Sequence, residues 1–534
     1  MEKNYFGIMV DCSRNAVLHM DGVKRLIDYL EKMGYNMLML YTEDTYEVDG
    51  QPLFGYLRGR YSKDELKEIV AYGEEHGIEL VPCIQTLAHL NQIFKWDVYK
   101  EINDCDDILL VGEEKTYALI EDMIRTLREC FKTDLIHVGM DEAKNLGNGN
   151  YKKRNGIQDH FQILKSHLDR VNAIVEKYQF KPIIWSDMFF SFATKDAFYY
   201  IEDPDVITPE IAAIVPKNIS LTYWDYYADD KSRYDNMLAA HLHFNNPIWF
   251  AGGAWTWAGF TPHNHVSISR TRKAMQSCRE KNITNIFLTC WGDNGGESTI
   301  FSVLPTLFYA AEIYRGNEDD ADIQAKFESL FSIPFDDFMK LDLPAALNDE
   351  FANKCASIDV SLLYADPFYG WMDPTIKEQF PDIENTYQQY ADALKPLTIH
   401  ETFGYQFKAA AALCNLLAVK ATLGIRTRKA YNSNDRIALE EIVKRYQVAE
   451  ERVEEFYAAY RAAWYHDKKS FGFEVQDIRI GGLLRRLQSC RSDLEAYLAG
   501  SISNISELDE KLIKVPVSSW PRWKGSSSVN NLGK

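Results

Sequence analysis

Asp141 and Glu142 stand side by side where an apolar run, Leu135-Ile-His-Val-Gly-Met140, stops. Adjacent carboxylates repel each other and lose hydration, so a strand that delivers two of them at its terminus is equipped for proton transfer or charge stabilisation. The plainer assignment is that Asp141 caps the following segment and Glu142 is solvated. Chemically capable residues recur at the ends of the other apolar runs: Asp11 and Arg14, Glu43 and Asp44, Gln85 and His89, then Trp185-Ser-Asp187, Trp224-Asp-Tyr226-Tyr227, Trp255-Thr-Trp257 and Trp291-Gly-Asp293. Five of the eleven tryptophans fall in this set, which favours a binding cup over core packing. Indole faces with a few carboxylates and a guanidinium suit a pyranose, whose apolar faces stack and whose hydroxyls need bidentate polar partners. Hydrolysis of a glycoside needs a proton donor and a nucleophile. Two neighbours in sequence cannot be assumed to flank the bond, which opens a third route in which the substrate supplies its own nucleophile.

Such residues must be held by a frame. Eight short apolar runs (6–11, 36–42, 79–86, 135–142, 182–187, 219–227, 248–255 and 286–293) alternate with amphipathic stretches over residues 1–315. The fifth crossover, 208–214, carries the weakest helical pattern. Runs apolar on both faces, each followed by a helix, predict a parallel sheet, and eight such units predict a closed (β/α)8 TIM barrel. In a doubly wound sheet only the strands near the switch point need polar ends, whereas here every run has one. The barrel would carry its site on the face formed by the strand C-termini. Residues 316–380 read as a connecting segment, 381–514 as an all-helical C-terminal domain with long amphipathic patterns, and 515–534 as a strap and mobile tail.

A net charge of -19 argues against nucleic acid and anionic membranes as partners. Nine cysteines without a Cys-x-x-Cys pair predict neither a disulfide framework nor a zinc knuckle. No leader peptide is expected in Met1–Asp11 and no apolar stretch of spanning length is expected, so the predicted location is cytoplasmic. His241-Leu-His243 and His263-Asn-His265 invite a metal-hydrolase reading, but the first pair precedes strand seven, at the wrong end of the barrel, and the partner ligands such a site expects at the first and fifth strand ends are absent. Neither metal nor cofactor is expected. His137, inside its run, is expected to be a buried residue that steadies the carboxylates.

The string His137-Val-Gly-Met-Asp141-Glu142 resembles the His-x-Gly-x-Asp-Glu signature of the β-N-acetylhexosaminidases of glycoside hydrolase family 20. Arg14, His89, the tryptophans after strands five to eight and the final Trp291-Gly-Asp293 are similar to that family as well. The resemblance implies an exo-acting, retaining, substrate-assisted enzyme on a saccharide with a terminal β-N-acetylhexosamine. Glu142 would protonate the glycosidic oxygen and Asp141 would steer the acetamide. Arg14 and Asp293 would grip distal hydroxyls, while Trp185, Trp224, Trp257 and Trp291 would wall the acetamide pocket, with His89 beside the acids. Tyr226 and Tyr227 are the candidates to hold the acetamide oxygen since both follow strand six, with one of the two at most able to serve because successive residues point apart; the Tyr-x-Asp that the family often has after strand seven is not visible in Ala254-Trp255-Thr256-Trp257. The small α/β domain that precedes the barrel in most relatives is not expected, and a homodimer is compatible with this reading. A sugar-binding barrel without turnover and a retaining glycosidase with a covalent carboxylate intermediate are the alternatives.

Overall fold

A computed structural model describes residues 3–194, 198–347, 356–517 and 519–532. The chain divides into two compact units, the first Met1–Ala254, Val266–Gly292 and Thr306–Ile323, the second Trp255–His265, Asp293–Pro305 and Gln324–Lys534.

The first unit holds β1 (Phe6–Asp11), β2 (Met37–Tyr41), β3 (Glu79–Cys83), β4 (Leu135–His137), β5 (Lys181–Trp185), β6 (Ser220–Trp224), β7 (Ile248–Gly253) and β8 (Asn285–Cys290). All neighbours are parallel and β8 pairs back onto β1, with Phe6 opposite Ile286, so the barrel closes as expected. The strands form here because their β-branched and long apolar side chains are buried on both faces. His137 of β4 and Phe287 of β8 have ring centroids 6.5 Å apart, and these strands are not neighbours, so the rings meet through the barrel interior. Trp185 fills the same interior, 4.4 Å from His137.

Crossover helices are set by local signals. Lys63–Glu75 starts at a capping box in which Ser62 and Glu65 satisfy each other's backbone N–H, and Met20–Met33 stops at Gly34, whose φ of 81° ends the helix. Among its described residues the fifth crossover holds the short helices Asp187–Ala193 and Pro209–Ala212 together with a 3-10 turn, in keeping with its weak pattern.

Helices dominate the second unit. In Arg436–Asp467 the buried positions Leu439, Ile442, Tyr446, Ala449, Val453, Phe456, Tyr460 and Trp464 recur every three or four residues, one face of a helix. Phe473–Leu498 follows after a turn at Gly472, φ 91°. The expected connecting segment is structured: it contains helices Asp320–Phe331, Phe335–Met339, Ile358–Tyr364 and Asp373–Gln379. In the C-terminal strap Trp520 is fully buried and its carbonyl accepts the Ala356 N–H, and a short helix, Trp523–Ser527, follows.

One sequence expectation needs correcting. Gly404–Asn432 contains an 18-residue window of mean hydropathy 1.4, long and apolar enough to cross a membrane, and 61% of that window is buried within the protein. The polar residues Gln406, Lys408, Asn415 and Lys420 interrupt the apolar run without lowering its average below that of a span.

Candidate active site

The site is built on an early exit from the barrel ladder. β4 ends at His137, short of the expected Glu142, and its only ladder pair with β3 is His137 opposite Cys83. Beyond it the chain enters a left-handed turn, with φ of 74° at Gly139, 77° at Met140 and 52° at Glu142. Gly139 is required twice over, since a Cβ there would stand 2.1 Å from Gln85 Oε1 in a backbone conformation that L side chains avoid. Met140 and Glu142 hold such angles at a cost of roughly 1–2 kcal/mol each, the kind of strain that marks functional turns. His137 braces the turn by accepting the Gly139 N–H on Nδ1 at 3.2 Å; burial pushes this imidazole down to about 3, so it is neutral.

The turn separates the two acids. Asp141 points inward and is 8% exposed, whereas the Glu142 side chain is 40% exposed. Asp141 does not cap the following segment. Gln85 donates to its Oδ1 at 2.6 Å and accepts the Met140 N–H at 3.1 Å, and His89 Nε2 lies 3.2 Å from its Oδ2 and 3.9 Å from Glu142 Oε2. Burial alone would lower His89, but the Asp141 charge beside it more than reverses this and carries the imidazolium up to about 10. Burial likewise opposes the Asp141 anion, and the His89 charge with its hydrogen bonds holds the carboxyl below the usual carboxylate range.

Asp187 lies under the same turn. Its Oδ2 accepts the Glu142 backbone N–H at 2.9 Å and its Oδ1 is 3.5 Å from Trp224 Nε1. Burial, followed by the Asp141 charge, raises this carboxyl to about 8.

Arg14 reaches the mouth from the β1 side, 3.3 Å from Asp11 Oδ2 and 3.4 Å from Glu43 Oε1. Its guanidinium lies over the rings of Tyr41 and Trp291, at 5.3 and 5.2 Å from their centroids, which fixes a long side chain by cation–π contact. Tyr41 donates to Glu43 at 3.0 Å and accepts from Gln85 at 2.9 Å, so a continuous polar chain runs Arg14, Glu43, Tyr41, Gln85, Asp141. Burial raises the Glu43 carboxyl while Arg14 works against it. Asp11 accepts the Gly292 N–H at 2.9 Å and latches the first strand end to the last.

The aromatic residues take distinct places. Trp185, 1% exposed, is floor rather than wall, packed on His137 and 6.2 Å from Trp291. Trp224 stacks on Tyr226 at 5.2 Å and meets Tyr199 at 4.9 Å. Tyr226 is 5% exposed and hydrogen-bonded through its hydroxyl with Thr289 and Trp291; burial keeps it protonated. Tyr227 is half-buried, 5.8 Å from Tyr226. Trp257 and Asp293 belong to the second unit, where Trp257 stacks on Trp255 at 4.7 Å and Asp293 lies 3.6 Å from Arg522. The first unit thus brings Asp141, Glu142 and His89 into one ion cluster, Arg14 onto Trp291, and Trp224 onto Tyr226.

Sequence reasoning put Glu43, Gln85 and Asp187 at strand ends without giving them work. Tyr41 was hidden inside an apolar run, and Tyr199 lies in the fifth crossover, where no periodicity marked it. Among the described residues no cluster of three or more His, Cys, Asp or Glu side chains could hold a metal ion. His241 instead sits with its two nitrogens 2.7 Å from Ser186 Oγ and 2.6 Å from the Met237 carbonyl.

Residues 4–240 match the glycosyl hydrolase family 20 catalytic domain, and residues 336–524 match the glycoside hydrolase 20C C-terminal domain. Similar proteins include hexosaminidase D of Homo sapiens, 23% identical over 348 residues covering 59% of this chain and 69% of that protein. Hexosaminidase D of Bos taurus is 24% identical over 207 residues, covering 37% and 56%. Among solved structures, an exo β-N-acetylglucosaminidase of Vibrio harveyi with N-acetylglucosamine is 15% identical with a TM-score of 0.48, covering 64% of this chain and 58% of that one. The matched catalytic and C-terminal segments define a glycoside hydrolase on a closed parallel barrel. The chain belongs to glycoside hydrolase family 20.

Proposed function

We propose that this protein is an exo-acting β-N-acetylhexosaminidase that retains anomeric configuration by substrate-assisted catalysis. The observation that carries the reading is the unequal setting of the two acids: a buried, cation-paired Asp141 beside an accessible Glu142. An anion that stays charged next to an imidazolium suits stabilising a developing positive charge on the acetamide nitrogen while accepting its N–H. Glu142 reaches solvent and so can exchange protons with it. In the first step the acetamide oxygen bonds to the anomeric carbon, the glycosidic bond breaks, and the Glu142 proton passes to the leaving oxygen. In the second step Glu142 takes a proton from water, whose oxygen bonds to the anomeric carbon as the oxazolinium ring opens.

Tyr226 is the residue to hold the acetamide oxygen, since its hydroxyl is enclosed with Trp291 and stays protonated, while Tyr227 is more open. Arg14, fixed by Asp11, Glu43 and two rings, suits distal hydroxyls. The name of the human relative, hexosaminidase D, agrees with this substrate class. Short saccharides in the cytosol are the proposed setting, supported by eight described cysteines that are all free thiols.

The test pairs an aryl N-acetyl-β-glucosaminide with the plain β-glucoside. Turnover of the first alone is expected. Equal rates would replace the assisted route with a covalent carboxylate intermediate, and no turnover of either would leave a sugar-binding barrel.

A further inference from the structure

We propose that Asp187 is a positioning residue that sets the proton-donating carboxyl of Glu142 by gripping its backbone. This rests on the activity proposed above, in which Glu142 is the acid.

The need for such a grip comes from the turn. Val138 makes a ladder bond, its N–H going to the Ile183 carbonyl at 2.9 Å, and after it the chain swings into left-handed geometry. The Glu142 N–H is thereby turned away from the sheet, and Asp187 Oδ2 receives it at 2.9 Å. Without that acceptor a strained peptide at φ 52° would carry an unmet donor and would relax, taking the carboxyl with it. Asp187 can hold it because its own base is rigid. The preceding residue, Ser186, donates its N–H to the Thr222 carbonyl of β6 at 3.1 Å, and its hydroxyl lies 2.8 Å from that carbonyl and 2.7 Å from His241. The second oxygen of Asp187 faces the Trp224 indole N–H at 3.5 Å, so one buried side chain ties the acid to the aromatic wall beside it. An Oδ2 lone pair accepts the N–H whether the carboxyl is ionised or protonated, and an amide oxygen can do the same.

The experiment compares Asp187→Ala and Asp187→Asn with the parent enzyme on two N-acetyl-β-glucosaminides. One is the 2,4-dinitrophenyl glycoside, whose aglycone departs without a proton; the other is a β-linked N-acetylglucosamine disaccharide, whose aglycone needs one. kcat/KM is read because it covers steps up to aglycone departure. Asp187→Ala is expected to lose about 100-fold on the disaccharide, the scale of a misplaced general acid, and less than about 5-fold on the dinitrophenyl glycoside. Retained dinitrophenyl turnover also shows that the variant is folded. Asp187→Asn, which keeps an acceptor, should stay within about 5-fold of the parent on both. Equal losses on the two substrates, or an Asn variant as poor as the Ala variant, would overturn the assignment. A parent enzyme inactive on both would instead remove the activity reading on which it rests.

Discussion

His89→Gln tests the electrostatic core of the site, because it removes a charge while keeping a donor of similar reach. Two unit charges 3.2 Å apart in an effective dielectric of about 20 attract by about 5 kcal/mol. The rise of His89 from 6.5 to about 10 amounts, at roughly 1.4 kcal/mol per pH unit, to about 5 kcal/mol as well. The second figure is already net of burial, and the same imidazolium charge is what holds Asp141 down, so removing it is expected to move the Asp141 carboxyl upward. Asp141 is useful as an anion, and its folded value is depressed, so activity is retained above that value and lost as pH falls through it. The variant should therefore move the acid limb of kcat/KM upward on an aryl N-acetyl-β-glucosaminide, with a small change on the alkaline side. Stability gives an independent sign. A raised His89 contributes in full below pH 6.5 and loses that contribution as pH climbs towards about 10. The melting temperature of the parent should fall across that interval relative to the variant. An acid limb displaced by less than about 0.5 pH units would refute the reasoning, since the pair would then not be setting the charge of Asp141.

Glu142→Gln should lower kcat/KM on poor leaving groups by about 10²–10⁴ and abolish the alkaline limb of the pH profile; an alkaline limb that survives would remove Glu142 as the acid. Arg14→Lys keeps a cation but loses the planar fork over Tyr41 and Trp291, so KM should rise about 10-fold or more with a smaller change in kcat. Gly139→Ala forces a Cβ to 2.1 Å from Gln85 Oε1 at a left-handed φ, and thermal melts should show a loss of about 3 kcal/mol together with loss of turnover. Tyr226→Phe should reduce kcat/KM about 100-fold on N-acetyl substrates while circular dichroism stays unchanged.

The barrel was legible because strands buried on both faces leave runs that no surface element copies, and the strand-end residues follow from the topology. Strand ends were harder. Met140 continues the apolar run of β4 although the chain has already left the ladder, and only the backbone angles reveal the turn that sends Asp141 and Glu142 apart. The partners of the acids lie on other strands. Gln85, Glu43 and Asp187 stand 57, 99 and 45 positions from Glu142, and a single sequence read by itself gives no means of pairing them. Trp185 read as a wall residue because its strand-end place resembles that of Trp224, yet side chains in the inward layer of a barrel become floor.

The buried imidazoles of the first unit have a consequence for anyone recording its pH response. His137 is held at about 3, His167 and His241 at about 4, and His89 at about 10. Histidine is the usual suspect for an inflection between pH 5 and 8. Here these four rings keep a fixed charge throughout that window, so an inflection arising inside the barrel reports a carboxyl, and carboxyl and imidazole differ in the heat released when they bind a proton. Repeating the profile at several temperatures would expose the distinction, because a carboxyl midpoint stays nearly still while an imidazole midpoint drifts.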